Sequence, residues 1–360
     1  MYLLTNEQRK CFALSAIQNN WILIRLSPSR YDTYNTYAYI TPDNRIVKII
    51  IEGDEQYQEY DVNELLSPDR TLILPKTTKG KLVRLTAANI AKKTPVGMSL
   101  SYVRNFISVY STANNCEFYN SSYAGITLNG MSDFFTWINK WCDETGDEEL
   151  ADIEAFAKKA KRHVKYKEGD FFRFRLDRHF FGYGRIIINY DDLRKKKIPF
   201  WDIFMGKPIL AGIYHIVTKD KYVGIEELDK MKMIPPQMIM DNIFFYDNCE
   251  IIGNLPVDES RIEFPVYYGH SIQYGDKSVM YQCGRTFIQR NDIIPLFDNF
   301  RNNGIGLRFN VDIPILMKCV EEKSNAPYWK QPNQHHVNED LRNPQYDKEL
   351  KKIRKQFDLE

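Results

Sequence analysis

The densest run of residues that could do chemistry lies between positions 171 and 185. There Arg173, Arg175, Arg178 and Arg185 alternate with Phe171, Phe172, Phe180, Phe181 and Tyr183. Three uses fit this pattern. It is what a strand pair with one buried face and outward arginines shows. It is also the residue mix that anchors protein–protein interfaces. A basic platform on which bases stack is the third use. Gly182 and Gly184 fall on one face of the second strand, where they mark close packing or a kink.

Catalytic candidates fail on spacing. Gly269-His-Ser-Ile-Gln273 has neither the order nor the second glycine of a nucleophile elbow. Gly182-Tyr-Gly184 and Gly304-Ile-Gly306 lack the third glycine of a dinucleotide loop. Neither a phosphate-binding Gly-x-x-x-x-Gly-Lys-Ser/Thr nor a His-Glu-x-x-His occurs. His335-His336 is a surface pair without a neighbouring third ligand. His163, His179, His215 and His270 are scattered and read as structural or surface residues. An enzyme would have to bring distant groups together, such as His215 and Asp202. The acid pairs Asp191-Asp192, Glu226-Glu227 and Glu321-Glu322 suit helix ends. The basic runs Arg194–Lys197 and Lys351–Lys355 are flanked by acids and read as solvated faces. The residues therefore predict no catalytic group, no metal and no cofactor.

Bulk properties narrow the class. The 49 Lys and Arg against 47 Asp and Glu give a net charge of +2. So small a charge supplies no overall field to hold nucleic acid or an anionic membrane. A 43% hydrophobic share rules out global disorder. A chain of 360 residues implies two domains, at about 100–200 residues each. No apolar run reaches spanning length, and MYLLTNEQRKCFAL is too polar for an export signal, so the expected compartment is the cytoplasm. The six cysteines contain no Cys-x-x-Cys pair and read as reduced, mostly buried thiols.

The elements that must position these residues are strands with a few helices. Thr5 caps a short helix over 5–14, and Thr86 caps another to Lys93. Strands are expected over 34–40, 45–51, 71–74 and 98–110. Met131, Phe134, Phe135, Ile138, Trp141 and Cys142 form a helical stripe, with Ser132 as cap. Leu150, Ile153, Phe156, Ala157 and Ala160 form a second stripe, capped by Asp147. Further strands are expected over 171–176, 182–188, 209–217, 242–246, 249–252 and 262–268. Helices are expected near 225–230, from Asp312 to Glu322 and over 345–356.

The fold class is α+β and mostly antiparallel, in two parts joined by a helix pair. Its C-terminal part is a small bent sheet or partly open barrel. The divisions are 1–130, the helix pair 131–165, a mostly β domain 166–323, and a polar loop with an exposed helix 324–360.

Lys167-Glu-Gly-Asp-Phe-Phe-Arg-Phe-Arg-Leu176, followed by Phe181-Gly-Tyr-Gly-Arg-Ile-Ile187, resembles the immunity protein 26 family. That family opens with a similar Gly-Asp-x-Phe strand and a Tyr-Gly-Tyr-Gly-Arg-like return strand, where Phe181 replaces the first Tyr. Met240-Asp-Asn-Ile-Phe-Phe-Tyr246, Ile251-Ile-Gly-Asn-Leu-Pro256 and Pro265 are similar to its second half. The resemblance covers roughly residues 166–290. It implies a mostly β, non-enzymatic bacterial protein of polymorphic toxin systems, which binds and neutralises a cognate toxin domain. It carries no catalytic residues. The matching positions Gly169, Asp170, Phe172, Gly182, Tyr183, Gly184 and Arg185 are expected to define the fold. Arg173, Arg175, Tyr183 and Arg185 are the candidate partner contacts. A nucleic-acid-binding module and an enzyme assembled only in three dimensions are the alternatives.

Overall fold

The computed structural model describes residues 2–28, 33–121, 126–200, 206–271, 275–297 and 340–359. Asp202, Gly304-Ile-Gly306, the helix expected from Asp312 to Glu322, His335-His336 and the polar stretch 324–339 lie outside the described residues. The chain divides into two compact units, Met1–Arg162 and His163–Glu360. Both are built from antiparallel strands with short helices, as the sequence pattern predicts.

The first unit is a nine-stranded sheet. Its main path runs β1 (Ile22–Arg25), β2 (Asn35–Ile40), β3 (Arg45–Gly53), β4 (Gln56–Leu66), β7 (Val96–Val103), β8 (Phe106–Ser111) and β9 (Cys116–Asn120). The short β5 (Leu72–Leu74) and β6 (Val83–Arg84) extend from β4. The stretch expected as one strand over 98–110 is a hairpin. Arg104 and Asn105 take left-handed φ of 46° and 68°, and Val103 pairs with Phe106. Two left-handed residues match the right-handed twist of the strands they join.

Thr5 caps α1 (Asn6–Lys10) through a capping box with Gln8, and Thr86 caps α2 (Ala87–Ile90). The stripe helix α3 (Met131–Asp143) begins after Gly130, with Ser132 already inside it. It buries Phe134, Trp137, Ile138 and Trp141 in the first unit's core, where the Phe134 ring stacks on Tyr102 at 4.7 Å. α4 (Asp147–Lys158) has Gly146 rather than Asp147 as its cap residue, and the Glu149 carboxylate accepts from the Gly146 N–H at 3.0 Å.

A charged cluster sits inside this core. Glu59, wholly buried, accepts from Arg9 Nε at 2.6 Å and from the Tyr57 hydroxyl at 2.7 Å. Lys48 Nζ lies 3.0 Å from Glu59 and 2.6 Å from Asp61. Burial alone would raise the Glu59 pKa, but Lys48 and Arg9 outweigh it and hold the carboxyl below its ordinary value.

The second unit carries a five-stranded sheet in the order β13-β12-β11-β10-β14 and a three-stranded sheet β15-β16-β17. The ranges are β10 (Asp170–Arg175), β11 (Phe181–Asn189), β12 (Pro208–Thr218), β13 (Met233–Met240) and β14 (Cys249–Asn254). The smaller sheet is β15 (Val266–His270), β16 (Val279–Cys283) and β17 (Thr286–Arg290). Both are open among the described residues, so the small-sheet form of the expectation is the one found.

Three local readings change. The run at 242–246 is the one-turn helix α7 (Asn242–Phe245), since a short apolar run has no period that separates strand from helix. β13, which contains Pro235-Pro236, is not among the expected strands. It is an edge strand, and its pairing with β12 passes from Gln237 to Ile234, so both prolines fall in a bulge where no ladder bond is lost. The terminal helix α8 (Asp347–Gln356), expected as exposed, buries Ile353 against Val266, Tyr268, Val279 and Tyr281 of the smaller sheet. α5 (Tyr190–Lys195) and α6 (Ile225–Leu228) also belong to this unit.

Removing Glu59 would leave two buried cations short of a counter-charge. Glu59→Ala is expected to destabilise the first unit by about 3–5 kcal/mol in denaturant unfolding of the full chain. A depressed folded-state pKa contributes stability above the unfolded value of 4.5, and that stability is lost as pH falls through the folded value. The advantage of the wild type over Glu59→Gln is therefore expected to shrink as pH is lowered from 7 through the carboxylate range. An advantage that is constant with pH would refute this.

Candidate functional site

The β10–β11 hairpin is held in register by paired residues. Phe171 faces Arg185, Phe172 faces Gly184, Arg173 faces Tyr183, Phe174 faces Gly182 and Arg175 faces Phe181. Strand alternation therefore puts Phe171, Arg173, Arg175, Phe181, Tyr183 and Arg185 on one face. Phe172, Phe174, Gly182 and Gly184 share the other.

The glycine face explains its own composition. A Cβ on Gly184 would lie 2.4 Å from Phe172 Cζ and 2.9 Å from the Gly212 carbonyl oxygen. The Phe172 ring occupies that space and meets Phe244 edge-on at 5.2 Å. The pairing of β11 with β12 slips between Gly182 and Gly184, the signature of a bulge. Gly169 has a φ of 83°, and a Cβ there would lie 2.2 Å from the Leu255 carbonyl oxygen. Asp170, buried, accepts from the Lys167 N–H and the Asn254 amide, both at 2.8 Å.

The arginine face is not turned wholly to solvent. Segment 219–231 and α6 cover it, and Phe171, Phe181, Tyr183, Tyr214 and Leu228 form a core there. Arginines run along this face at increasing depth. At the hairpin end, Arg175 lies 5.2 Å above the Phe181 ring and donates to the Arg178 carbonyl at 3.0 Å. Arg173 also lies 5.2 Å from Phe181, donates to the Lys221 carbonyl and pairs with Glu250 at 2.5 Å. Arg185, deepest, is 4% exposed and sits 4.5 Å from the Phe171 ring.

Tyr183 is fully buried and donates its hydroxyl to the Asp220 carbonyl at 2.5 Å. Burial raises its pKa, and Arg173 pulls it partly back. Arg185 pairs with Asp229 at 2.5 Å and donates to the Leu255 and Pro256 carbonyls, each at 2.8 Å. Of the four candidate contacts, Tyr183 and Arg185 thus face inward. Arg173 and Arg175 stand half-buried at the hairpin end.

That end forms a contiguous basic and aromatic patch. Asp177 folds the turn by accepting from the His179 and Phe180 N–H groups at 2.7 and 2.8 Å. Lys219 lies 5.5 Å from the Phe180 ring and Lys221 5.8 Å from Phe181. Tyr222, 84% exposed, lies 5.6 Å from the Arg173 guanidinium. Arg173, Arg175, Lys219 and Lys221 outnumber Asp177, Asp220 and Glu250 here, while Arg178 is buried. Sequence reading missed Lys219, Lys221 and Tyr222. The available signal was a turn-like Lys-Asp-Lys-Tyr directly after an apolar run.

The remaining candidates do not gather. His215 lies on β12 and His270 at the end of β15. His163 is exposed, 4.0 Å from Asp241. Lys195 of the basic run pairs with Asp191 at 2.8 Å and Asp192 at 3.2 Å. Among the described residues no group of three or more His, Cys, Asp or Glu converges as a metal site. Among them, too, no disulfide forms and no helix is long and apolar enough to cross a membrane.

Residues 167–278 match the family model described as Immunity protein 26. The match bears out the motif resemblance over part of the chain. It begins at the turn before β10, takes in the whole five-stranded sheet and ends after β15. No curated protein and no solved structure matches the chain.

If Gly184 exists to admit the Phe172 ring, Gly184→Ala should destabilise the second unit by about 1–3 kcal/mol through overpacking. Shrinking the ring should relieve it. Gly184→Ala with Phe172→Leu should lose less than the sum of the two singles. Wild-type stability of Gly184→Ala in denaturant unfolding would refute the packing argument.

Proposed function

We propose that this chain is an immunity protein that binds a cognate toxin domain and neutralises it by occlusion, without catalysis. The observation that carries this reading is the family match over the sheet that builds the basic, aromatic hairpin end. The proposed compartment is the cytoplasm of the toxin producer, where the target of self-intoxication lies. Gly169, Asp170, Phe172, Gly182, Tyr183, Gly184 and Arg185 serve chiefly to hold the sheet. Contact falls to Arg173, Arg175 and the neighbouring Tyr222.

This division follows from accessibility. Tyr and Arg make strong anchors because they bury large areas and bond polar groups at the same time. Here the arginines rest on aromatic rings before any partner arrives, so little side-chain freedom is left to lose on binding. Occlusion needs an interface of about 1,200–2,000 Å², so the hairpin end would be one part of a larger contact.

The test is co-expression with the C-terminal domain of the large secreted protein encoded nearest to this chain. Host survival together with a co-purifying complex is expected. Tyr222→Ala and Arg175→Glu should each weaken that complex tenfold or more, about 1.4 kcal/mol, while leaving folding intact. Survival without a complex would point to an enzyme that reverses damage. Absence of rescue, combined with single-stranded DNA binding that falls steeply with salt, would replace the reading with nucleic-acid binding.

A further inference from the structure

Beneath the arginine face lies a cavity of about 490 Å³ within the second unit. Its floor is Arg185 and Tyr214, 4% and 1% exposed. Met231, Met233, Pro235, Pro236 and Ile262 give it an apolar stretch of wall. Arg261 and Arg342 also line it, and the exposed Lys232, Asp258 and Glu263 stand on its solvent side.

Two features of the floor ask for an anion. Asp229 is shared by two cations, bonding Arg185 at 2.5 Å through one oxygen and Arg261 at 3.2 Å through the other. One carboxylate thus answers two guanidinium groups. The Tyr214 hydroxyl lies against Arg185, yet neither its oxygen nor Arg185 Nε makes a hydrogen bond of good geometry among the described residues. Buried donors left bare cost free energy, and an acceptor entering the cavity would satisfy them. Burial pushes the Tyr214 pKa up to about 12 with Arg185 opposing, so the hydroxyl stays a donor wherever a carboxylate is ionised.

We propose that this cavity is a binding site for a carboxylate carried on an apolar body. The carboxylate meets Tyr214 and the Arg185–Arg261 side, and the apolar body packs on Met231, Met233 and the prolines. The inference goes beyond toxin binding and stands or falls separately from it. Such a carboxylate could arrive as a small free acid or as the C-terminus of a peptide, and the probes distinguish them.

Met231 and Met233 supply the readout. Full-length protein labelled with ¹³C at the methionine methyls is titrated with benzoate, benzyl alcohol, a short peptide ending in a free Phe carboxylate, and the same peptide amidated. Saturable shifts of the Met231 and Met233 methyls are expected with benzoate or the free-acid peptide. The neutral counterparts should bind tenfold or more weaker. Tyr214→Phe, which removes one hydroxyl, should weaken binding tenfold or more. Arg261→Gln, at an exposed position, removes the second cation on Asp229 but leaves the Arg185–Asp229 pair, and should weaken it severalfold. Failure of both carboxylates to saturate, equal binding of the neutral probes, or unchanged affinity in both variants would overturn the site.

Discussion

A guanidinium inside a protein must be surrounded by acceptors, and the second unit is arranged around that of Arg185. Its three hydrogen-bond partners come from two segments: Asp229 after α6, and the Leu255 and Pro256 carbonyls after β14. The Phe171 ring closes the remaining side. An unpaired buried charge costs several kcal/mol, so conformations that fail to bring these segments together are disfavoured. Arg185 thereby links the central strand β11 to the covering segment and to the exit of the sheet's edge strand. The cavity is a consequence of that gathering, since the segments that supply acceptors also supply its walls.

The first unit solves a similar problem with a different result. Glu59 is buried among Arg9, Lys48 and Tyr57, and Asp61 balances the second cation. Two acids answer two bases here, although Lys48 Nζ and Asp61 Oδ1, 2.6 Å apart, make no hydrogen bond of good geometry. Around Asp229 two bases share one acid, with a hydroxyl and an Nε left bare. Buried charge alone distinguishes nothing. The difference lies in the balance of charge, two acids for two bases in the first group and one acid for two bases in the second.

What could be read from the sequence is what is local. Thr5 with Gln8 and the α3 stripe at 131–142 are signals completed within a few residues, and the corresponding elements form. The alternation at 171–185 locates the hairpin and puts its arginines on one face. What stays hidden is decided at a distance. Nothing near Arg185 announces Asp229, 44 positions away. Nothing in the hairpin says that segment 219–231 will lie over its arginine face, turning Tyr183 and Arg185 inward. β13 tolerates Pro235-Pro236 only because it is an edge strand whose pairing with β12 skips both residues, which no local pattern shows. Arg104-Asn105 reads as continuous strand because left-handed φ at an arginine has no residue-type signal.

Segment 219–233 ties the hairpin end to the cavity. Lys221 and Asp220 accept from Arg173 and Tyr183, Tyr222 flanks Arg173, and Asp229, Met231 and Met233 bound the cavity. Strand β11 runs beneath both, since Tyr183 and Arg185 are two residues apart on one face. The outer arginines owe their fixed positions to the same covering segment that the inner arginine holds down through Asp229. A loss of the Arg185–Asp229 pair would therefore free the 219–223 turn as well as open the cavity floor. For this reason, only substitutions that leave that pair intact can separate a contact at the hairpin end from an event in the cavity.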